Sequence, residues 1–176
     1  MGSSEVVLYI ASSLDGYIAG PDEDLSWLPW DDEVDFESFT STVGTVVMGR
    51  KTYDFSRSQG EWPMPDTDTY VFTRQPGYEI TTPRTWVADR PPVDWVADIR
   101  AKSDEVIWLM GGGSLAQEFL EHDLVDRIEL GTVPILLGGG SQLFAPLSEY
   151  KRFRLTKSNA LKKTGIILAT YQREPR

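Results

Sequence analysis

The sequence predicts an α/β fold: a mostly parallel central sheet with helices on both faces and an antiparallel C-terminal edge. Two patterns indicate this. Apolar, β-branched runs alternate with amphipathic stretches, which is typical of parallel strands joined by helices. The last two β-like runs, 152–159 and 166–172, are separated by a short turn that contains Gly165, so we expect them to pair antiparallel. A chain of 176 residues without internal repeats fits a single domain, residues 1–176.

The first half of the chain contains three predicted strands, a predicted helix at 31–40 and a short predicted helix with a loop at 53–60. The nearly continuous apolar run 6–12 indicates a strand that is buried on both faces. A loop with two glycines leads to the segment 31–40, which has apolar residues at roughly helical spacing and begins with Asp31 or Asp32 as a suitable N-cap. The next β-branched runs are predicted strands, at 45–48 and 69–73.

The second half repeats this alternation and contains the most distinctive stretch, 105–120. An apolar strand at 106–110 runs into three consecutive glycines and then into an amphipathic helix. Glycines let backbone N–H groups approach an anion closely, and a helix N-terminus adds a favourable dipole. The alternative is a tight strand-to-helix turn without a ligand. The other predicted elements are a strand at 84–88, a helix at 92–101, a strand at 126–133 and a second glycine-rich break at 134–140.

Composition excludes several classes of function. The chain has no cysteine, so it has no disulfide, thiolate metal site or cysteine nucleophile, and its one histidine, His122, argues against a histidine metal site or a Ser/His/Asp triad. A net charge of -10 argues against general binding to nucleic acid or anionic membranes. No apolar run could span a bilayer and the N-terminus lacks a signal pattern, so we expect a cytoplasmic protein.

Cations and hydroxyls follow two of the predicted strands in this acidic chain. Arg50 and Lys51 come directly after the strand at 45–48, and Arg74 follows the strand at 69–73. Open α/β sheets bind ligands at the carboxyl ends of their strands. If these strands neighbour the one that ends in the glycine triplet, the three ends form one anion-binding rim, suited to a pyrophosphate and an additional phosphate. Ordinary surface cations are the alternative.

Five segments, in order, resemble the dihydrofolate reductase superfamily, and more closely the reductase domain of the bifunctional riboflavin-biosynthesis deaminase–reductase, here as a stand-alone chain. They spread over most of the sequence, from residue 6 to about 147. The segments are IASSLDGYIA (10–19), VMGRKT (47–52), VFTR (71–74), LMGGGS (109–114) and PILLGGG with Leu143 and Phe144 (134–144).

The resemblance implies a three-layer dihydrofolate reductase-like fold with an eight-stranded sheet, NADPH as hydride donor and, in the riboflavin-like branch, a homodimer. It matches the adenosine 2′-phosphate region to Gly49, Arg50, Lys51, Thr52, Thr73 and Arg74. It matches the pyrophosphate to Gly111, Gly112, Gly113, Ser114 and Leu115. Backbone near Ser12 and Ala19 would hold the nicotinamide carboxamide.

The substrate side is less well defined by the resemblance. Folate reductases carry a carboxylate on the helix after the first loop, and the nearest matches are Asp31, Asp32 and Glu33, of which we take Asp32 as the candidate; a solvated helix start is the alternative. Asp15 either assists protonation of substrate or caps a turn. An aromatic pocket for a flat heterocycle is predicted from Tyr9, Trp27, Trp30, Phe36 and Tyr53, unless these residues are simply core.

Two departures separate this chain from the riboflavin-type reductases. Those enzymes tend to have a lysine in place of Tyr9 and an Asp-Asn-Pro-like segment in place of residues 54–57. The leading hypothesis is an NADPH-dependent reductase that resembles 5-amino-6-(5-phosphoribosylamino)uracil reductase and acts on a C=N or C=O bond of a small heterocyclic or ribosylamino compound. The alternatives are a dihydrofolate reductase and a non-catalytic NADP-binding module.

Overall fold

A computed structural model describes residues 4–174 of the chain. The strands are β1 (Val6–Ser13), β2 (Tyr17–Ala19), β3 (Val43–Gly49), β4 (Asp68–Phe72), β5 (Thr85–Val87), β6 (Val106–Gly111), β7 (Arg127–Val133), β8 (Ser141–Gln142), β9 (Phe153–Ala160) and β10 (Ile167–Arg173). The helices are α1 (Phe36–Thr40), α2 (Arg50–Ser58), α3 (Pro92–Arg100) and α4 (Gly113–Glu121), with a 3-10 turn at Pro21–Glu23. None of the helices within this part of the chain has the length and apolarity to cross a membrane.

Eight strands form the central sheet, in the order β5-β4-β3-β6-β1-β7-β10-β9. The six strands from β5 to β7 are parallel to their neighbours, whereas β10 is antiparallel to both β7 and β9. The predicted fold class, including its antiparallel C-terminal edge, is therefore confirmed. The short strands β2 and β8 pair with each other outside the main sheet. They were not predicted because two or three residues are too few to show a period.

The core has two layers because alternate residues of each strand point to opposite faces of the sheet. On one face Leu8 packs with apolar residues of α3 and α4, such as Val96 and Phe119. On the other face Val7 packs with Phe39 of α1 and Tyr53 of α2. Helices cover both faces, as the sequence predicts.

The first helix is shorter than predicted. It begins at Phe36 rather than near residue 31, and its N-cap is Asp35, whose carboxylate accepts a hydrogen bond from the backbone N–H of Ser38 at 3.1 Å. Asp31 does not cap a helix; its carboxylate binds the Thr164 hydroxyl in the turn between the last two strands. The irregular segment before α1 covers part of the sheet instead of forming a first helical turn.

Candidate functional site

Strand order brings the three predicted anion-binding segments to one edge. β4, β3 and β6 are adjacent, with Gly49 in register with Phe72 and Met48 in register with Gly111. Because these strands are parallel, their carboxyl ends lie side by side. The segments Gly49–Thr52, Thr73–Arg74 and Gly111–Leu115 therefore form a continuous rim, which we call the strand-end rim.

Two helix N-termini meet at this rim. The N-cap of α2 is Gly49 and that of α4 is Gly112, and neither helix has a side-chain cap from the residues that the structure describes. A Cβ added to Gly49 would lie 3.8 Å from the backbone nitrogen of Gly112, so the two helix starts are in van der Waals contact. The first-turn N–H groups of both helices lack an intrahelical acceptor, and an anion suits that position.

The glycine triplet also has a packing role. Gly111 has a φ of +126°, in the region that favours glycine, and its peptide bond to Gly112 is cis. A Cβ on Gly113 would lie only 2.2 Å from the backbone oxygen of Gln142 in β8. The tight turn therefore has a packing reason of its own, and the anion site at the same residues stays a prediction.

The three cations of the strand-end rim differ in their partners. Arg50 donates to the Asp54 carboxylate one turn along α2, at 2.8 Å, and Lys51 forms an ion pair with Glu23, also at 2.8 Å. Arg74 is exposed and makes no side-chain hydrogen bond or ion pair with any residue between 4 and 174. Lys51 therefore helps to join the first loop to α2, while Arg74 is the cation that is free to bind an anion.

The first loop binds the second glycine-rich segment. The Asp15 carboxylate accepts hydrogen bonds from the Ser13 hydroxyl (2.6 Å) and from the backbone N–H groups of Leu137 (3.1 Å) and Gly138 (2.7 Å). These bonds, that from Ser13 first, lower the pKa of Asp15 to about 2. A carboxylate that is ionised and so engaged is a poor proton donor at neutral pH, and the structure favours the turn-capping alternative for Asp15.

The contact between residues 13–23 and 134–142 was missed in the sequence, although the PILLGGG motif was a signal for it. β2 pairs with β8, and a Cβ on Gly140 would lie 2.1 Å from the carbonyl oxygen of Ala19. Ser12 and Ala19, the predicted nicotinamide contacts, are both buried at this junction. The two segments together form a wall beside the carboxyl end of β1.

A cavity of about 260 Å³ lies on the sheet face next to that wall. Its floor consists of two rows of side chains that strand register places side by side. The first row is Tyr9, Glu129 and Thr170, and the second is Ala11, Gly131 and Leu168. The irregular segment before α1 covers it, and the further lining residues are Ile10, Leu28, Pro29, Trp30, Asp31, Val34, Phe36, Leu130, Ile166 and Ala169.

Three of the five predicted aromatic pocket residues line this cavity. These are Tyr9, Trp30 and Phe36, and the ring centroids of Tyr9 and Phe36 are 5.6 Å apart. Tyr53 does not: it is fully buried in the core under α2, where its hydroxyl contacts Thr82. Trp27 does not line it either: it donates its indole N–H to the Asp24 carbonyl and packs on an apolar cluster that shares Val34, Ile166 and Leu168 with the cavity lining. For Tyr53 the core interpretation was the right one.

The acid at the cavity is Asp31 rather than the predicted Asp32. The Asp32 side chain is 79% exposed and lies 3.6 Å from Lys163, outside the cavity. Asp31 is only 3% exposed and lines the cavity, where hydrogen bonds from the Thr164 hydroxyl and the Glu33 backbone lower the pKa of its carboxyl group. Glu129 is a second lining acid that was missed; its signal was a carboxylate between the apolar residues Ile128 and Leu130 of β7.

Comparison with known proteins gives consistent matches over nearly the whole chain. The model of the RibD C-terminal domain matches residues 4–167. The uncharacterized protein YwjB of Bacillus subtilis is 33% identical over 155 residues, covering 86% of this chain and 88% of YwjB.

Solved structures agree with these matches. A Shewanella sp. PV-4 protein, provisionally named for riboflavin biosynthesis, superposes with a TM-score of 0.87 at 32% identity, covering 97% of this chain and 99% of that one. Dihydrofolate reductase from Enterococcus faecalis, complexed with NADP(H) and RAB-propyl, has a TM-score of 0.70 at 18% identity and covers 99% of both chains. At that identity the second match shows a shared fold.

Proposed function

Because the chain belongs to the RibD C-terminal domain family, we propose that it is an NADPH-dependent reductase. It would transfer a hydride to a C=N or C=O bond of a small heterocyclic or ribosylamino compound, as in the reduction of 5-amino-6-(5-phosphoribosylamino)uracil in riboflavin biosynthesis. The observation that carries this proposal is the position of the cavity. It lies on β1, β7 and β10, and β1 is the direct neighbour of β6, whose end forms part of the strand-end rim.

The residues present fit NADPH. The uncapped first turns of α2 and α4 would hold the pyrophosphate, and Arg74, with Arg50 and the hydroxyls of Thr52 and Thr73, would hold the 2′-phosphate. Backbone near Ser12 and Ala19 would orient the nicotinamide toward the cavity. When bound, NADPH supplies the hydride, and the protein supplies binding, orientation and exclusion of water.

The 2′-phosphate assignment is tested by removing the arginines. We expect wild-type protein to bind NADPH more tightly than NADH, and Arg50→Ala/Arg74→Ala to lose this preference. Each charge-assisted hydrogen bond contributes about 1.5–3 kcal/mol, so the NADPH/NADH affinity ratio should fall by roughly 10- to 100-fold per arginine. Fluorescence titration with both cofactors measures it.

Arg154→Ala is the matched control. Arg154 is an exposed arginine on β9, the edge strand farthest from the rim strands, so its removal takes away one positive charge, as each single arginine substitution does, without touching the rim. The ratio should be unchanged in this variant. An unchanged ratio in the double arginine variant would contradict the 2′-phosphate site.

A dihydrofolate reductase remains the second candidate, favoured by the buried carboxylate of Asp31 at the cavity and by the shared fold. Turnover of dihydrofolate with NADPH discriminates directly, and Asp31→Asn should then slow it. A protein that binds NADPH tightly but oxidises it with no compound in a substrate screen would instead be an NADP-binding module.

We also propose that the chain forms a homodimer, as the family resemblance implies. β9 is an eight-residue edge strand with mostly exposed side chains, and open edges of this kind are suited to association. Sedimentation equilibrium at micromolar concentration should give twice the chain mass of 19.8 kDa. A monomer mass would contradict this part of the proposal.

A further inference from the structure

The charge of the cavity lining constrains the substrate beyond the proposed function. Among residues 4–174, the lining contains two carboxylates, Asp31 and Glu129, and no lysine or arginine. The other lining side chains are apolar or aromatic apart from Tyr9 and Thr170. A phosphate group normally requires an arginine, a lysine or free backbone N–H groups at its binding site. The lining offers none of these cations.

The carboxylates around the cavity outnumber the nearby cations. Arg127 lies 2.5 Å from Glu129, but it is shared with Glu5 at 3.2 Å. Lys163 forms an ion pair with Asp32 and also lowers the pKa of the Asp31 carboxyl group, and Lys157 acts on Asp35. The five carboxylates are Asp31, Asp32, Glu33, Asp35 and Glu129, against the four cations Arg127, Lys157, Lys162 and Lys163.

Burial and neighbouring carboxylates raise the pKa of the Tyr9 hydroxyl inside the cavity. Burial raises the pKa of Tyr9, and the charges of Glu129 and Asp35 raise it further. Tyr9 also stacks on Phe39, with ring centroids 4.4 Å apart, so its ring is held rigidly as part of the cavity floor. A flat ring that enters would therefore meet a fixed aromatic surface and carboxylate acceptors.

Resting on the proposed function, we propose that this cavity takes an unphosphorylated, flat heterocycle that carries amino groups, and that it rejects the phosphorylated form. Aromatic surfaces of Tyr9 and Phe36 would contact the ring, and Asp31 and Glu129 would accept hydrogen bonds from its amines. A volume of about 260 Å³ lies at the low end of the ~300–1,000 Å³ that ligand pockets occupy. It suits a single ring system better than a ring with a phosphorylated sugar.

Binding of a matched pair of compounds tests this without relying on turnover. The probes are 5-amino-6-(5-phosphoribosylamino)uracil and the same compound without its phosphate, titrated calorimetrically into the full chain with and without NADP⁺. We expect the unphosphorylated compound to bind at least tenfold more tightly. Asp31→Asn should reduce this ratio severalfold, because it removes the buried charge but keeps an oxygen that accepts from Thr164.

Asp32→Asn is the matched control. It is the same chemical change one residue away, on a side chain that is 79% exposed and lies outside the cavity, so screening should keep its effect below twofold. Equal or tighter binding of the phosphorylated compound overturns the inference, and so does binding of neither compound at millimolar concentration. Selective binding without any NADPH oxidation would leave it standing and overturn only the reductase assignment.

Discussion

Replacing Gly113 by alanine tests whether the start of α4 is determined by backbone contact. In most helices a change from glycine to alanine stabilises the fold by up to ~1 kcal/mol. Here the new Cβ would lie 2.2 Å from the backbone oxygen of Gln142, at least ~0.8 Å inside the 3.0 Å limit that real Cβ atoms respect. Because both sides of the contact are backbone, neither side can rotate away.

The clash should outweigh the gain in helix propensity. Overpacking of this kind costs ~1–3 kcal/mol, so we expect Gly113→Ala to lose about 1–2 kcal/mol of net stability. For a domain of this size each kcal/mol lowers Tm by roughly 2–4 °C, which predicts a fall of about 2–8 °C. Thermal unfolding followed by far-UV circular dichroism measures it.

Gly139→Ala is the control for that measurement. A Cβ at Gly139 meets no atom within 4 Å, and the residue lies in the glycine-rich segment near Gln142. Its Tm should stay within about 2 °C of wild type, because the substitution introduces no clash. A Gly113→Ala protein that melts at or above the wild-type temperature would refute the close approach of α4 to β8.

Three further predictions concern other parts of the structure. The pKa of Asp15 is lowered to about 2 from its ordinary 3.8, so its stabilising effect is present above about pH 4 and is lost as the pH falls toward 2. Asp15→Ala should therefore lower Tm at pH 7 but converge with wild type near pH 2. Asp126 accepts hydrogen bonds from Arg100, Arg173 and the Val6 N–H, so in urea unfolding Asp126→Ala should cost on the order of 3 kcal/mol. The exposed pair of Asp98 with Arg90 is its control, and Asp98→Ala should cost under ~1 kcal/mol. Tyr53→Phe should cost about 1–2 kcal/mol, because it removes a buried hydroxyl bonded to Thr82 and to the Thr81 N–H, yet leave heterocycle binding unchanged. Weakened heterocycle binding would mean that Tyr53 does reach the cavity.

Sequence patterns predicted the structure well where burial of a strand, or the backbone conformation of a turn, restricts which residues fit. The apolar, β-branched runs at β1, β3, β4 and β6 predicted strands correctly, since burial on both faces of a sheet imposes a simple pattern. Glycines at 111–113 marked a strand-to-helix turn because position 111 has a positive φ and position 113 lies against the backbone of Gln142, and both conditions favour glycine. The grouping of Arg50 and Arg74 with that turn also followed, once parallel neighbours were assumed.

Sequence patterns were misleading in the irregular segment between β2 and α1. Without a period, nothing in DDEVDFE distinguishes the acid that turns inward from the one that faces water. In the structure the two acids are distinguished by Thr164, which lies 133 positions from Asp31 in the sequence. Its hydroxyl binds Asp31, whereas Asp32 lies outside the cavity. Tyr53 was misassigned for a related reason, because an aromatic side chain suits a core as well as a pocket.

The sequence by itself determined the fold class, the family and the residue types that lie at the strand ends. These features depend on the local period of hydrophobic residues, on the positions of the glycines and on the order of the segments. The tertiary structure alone decided which residues share the cavity. Tyr9, Glu129 and Thr170 lie side by side only because β7 pairs with both β1 and β10 in one register. Register and long-range hydrogen bonds are properties of strand pairing, and a shift of one residue would turn each of these side chains to the opposite face.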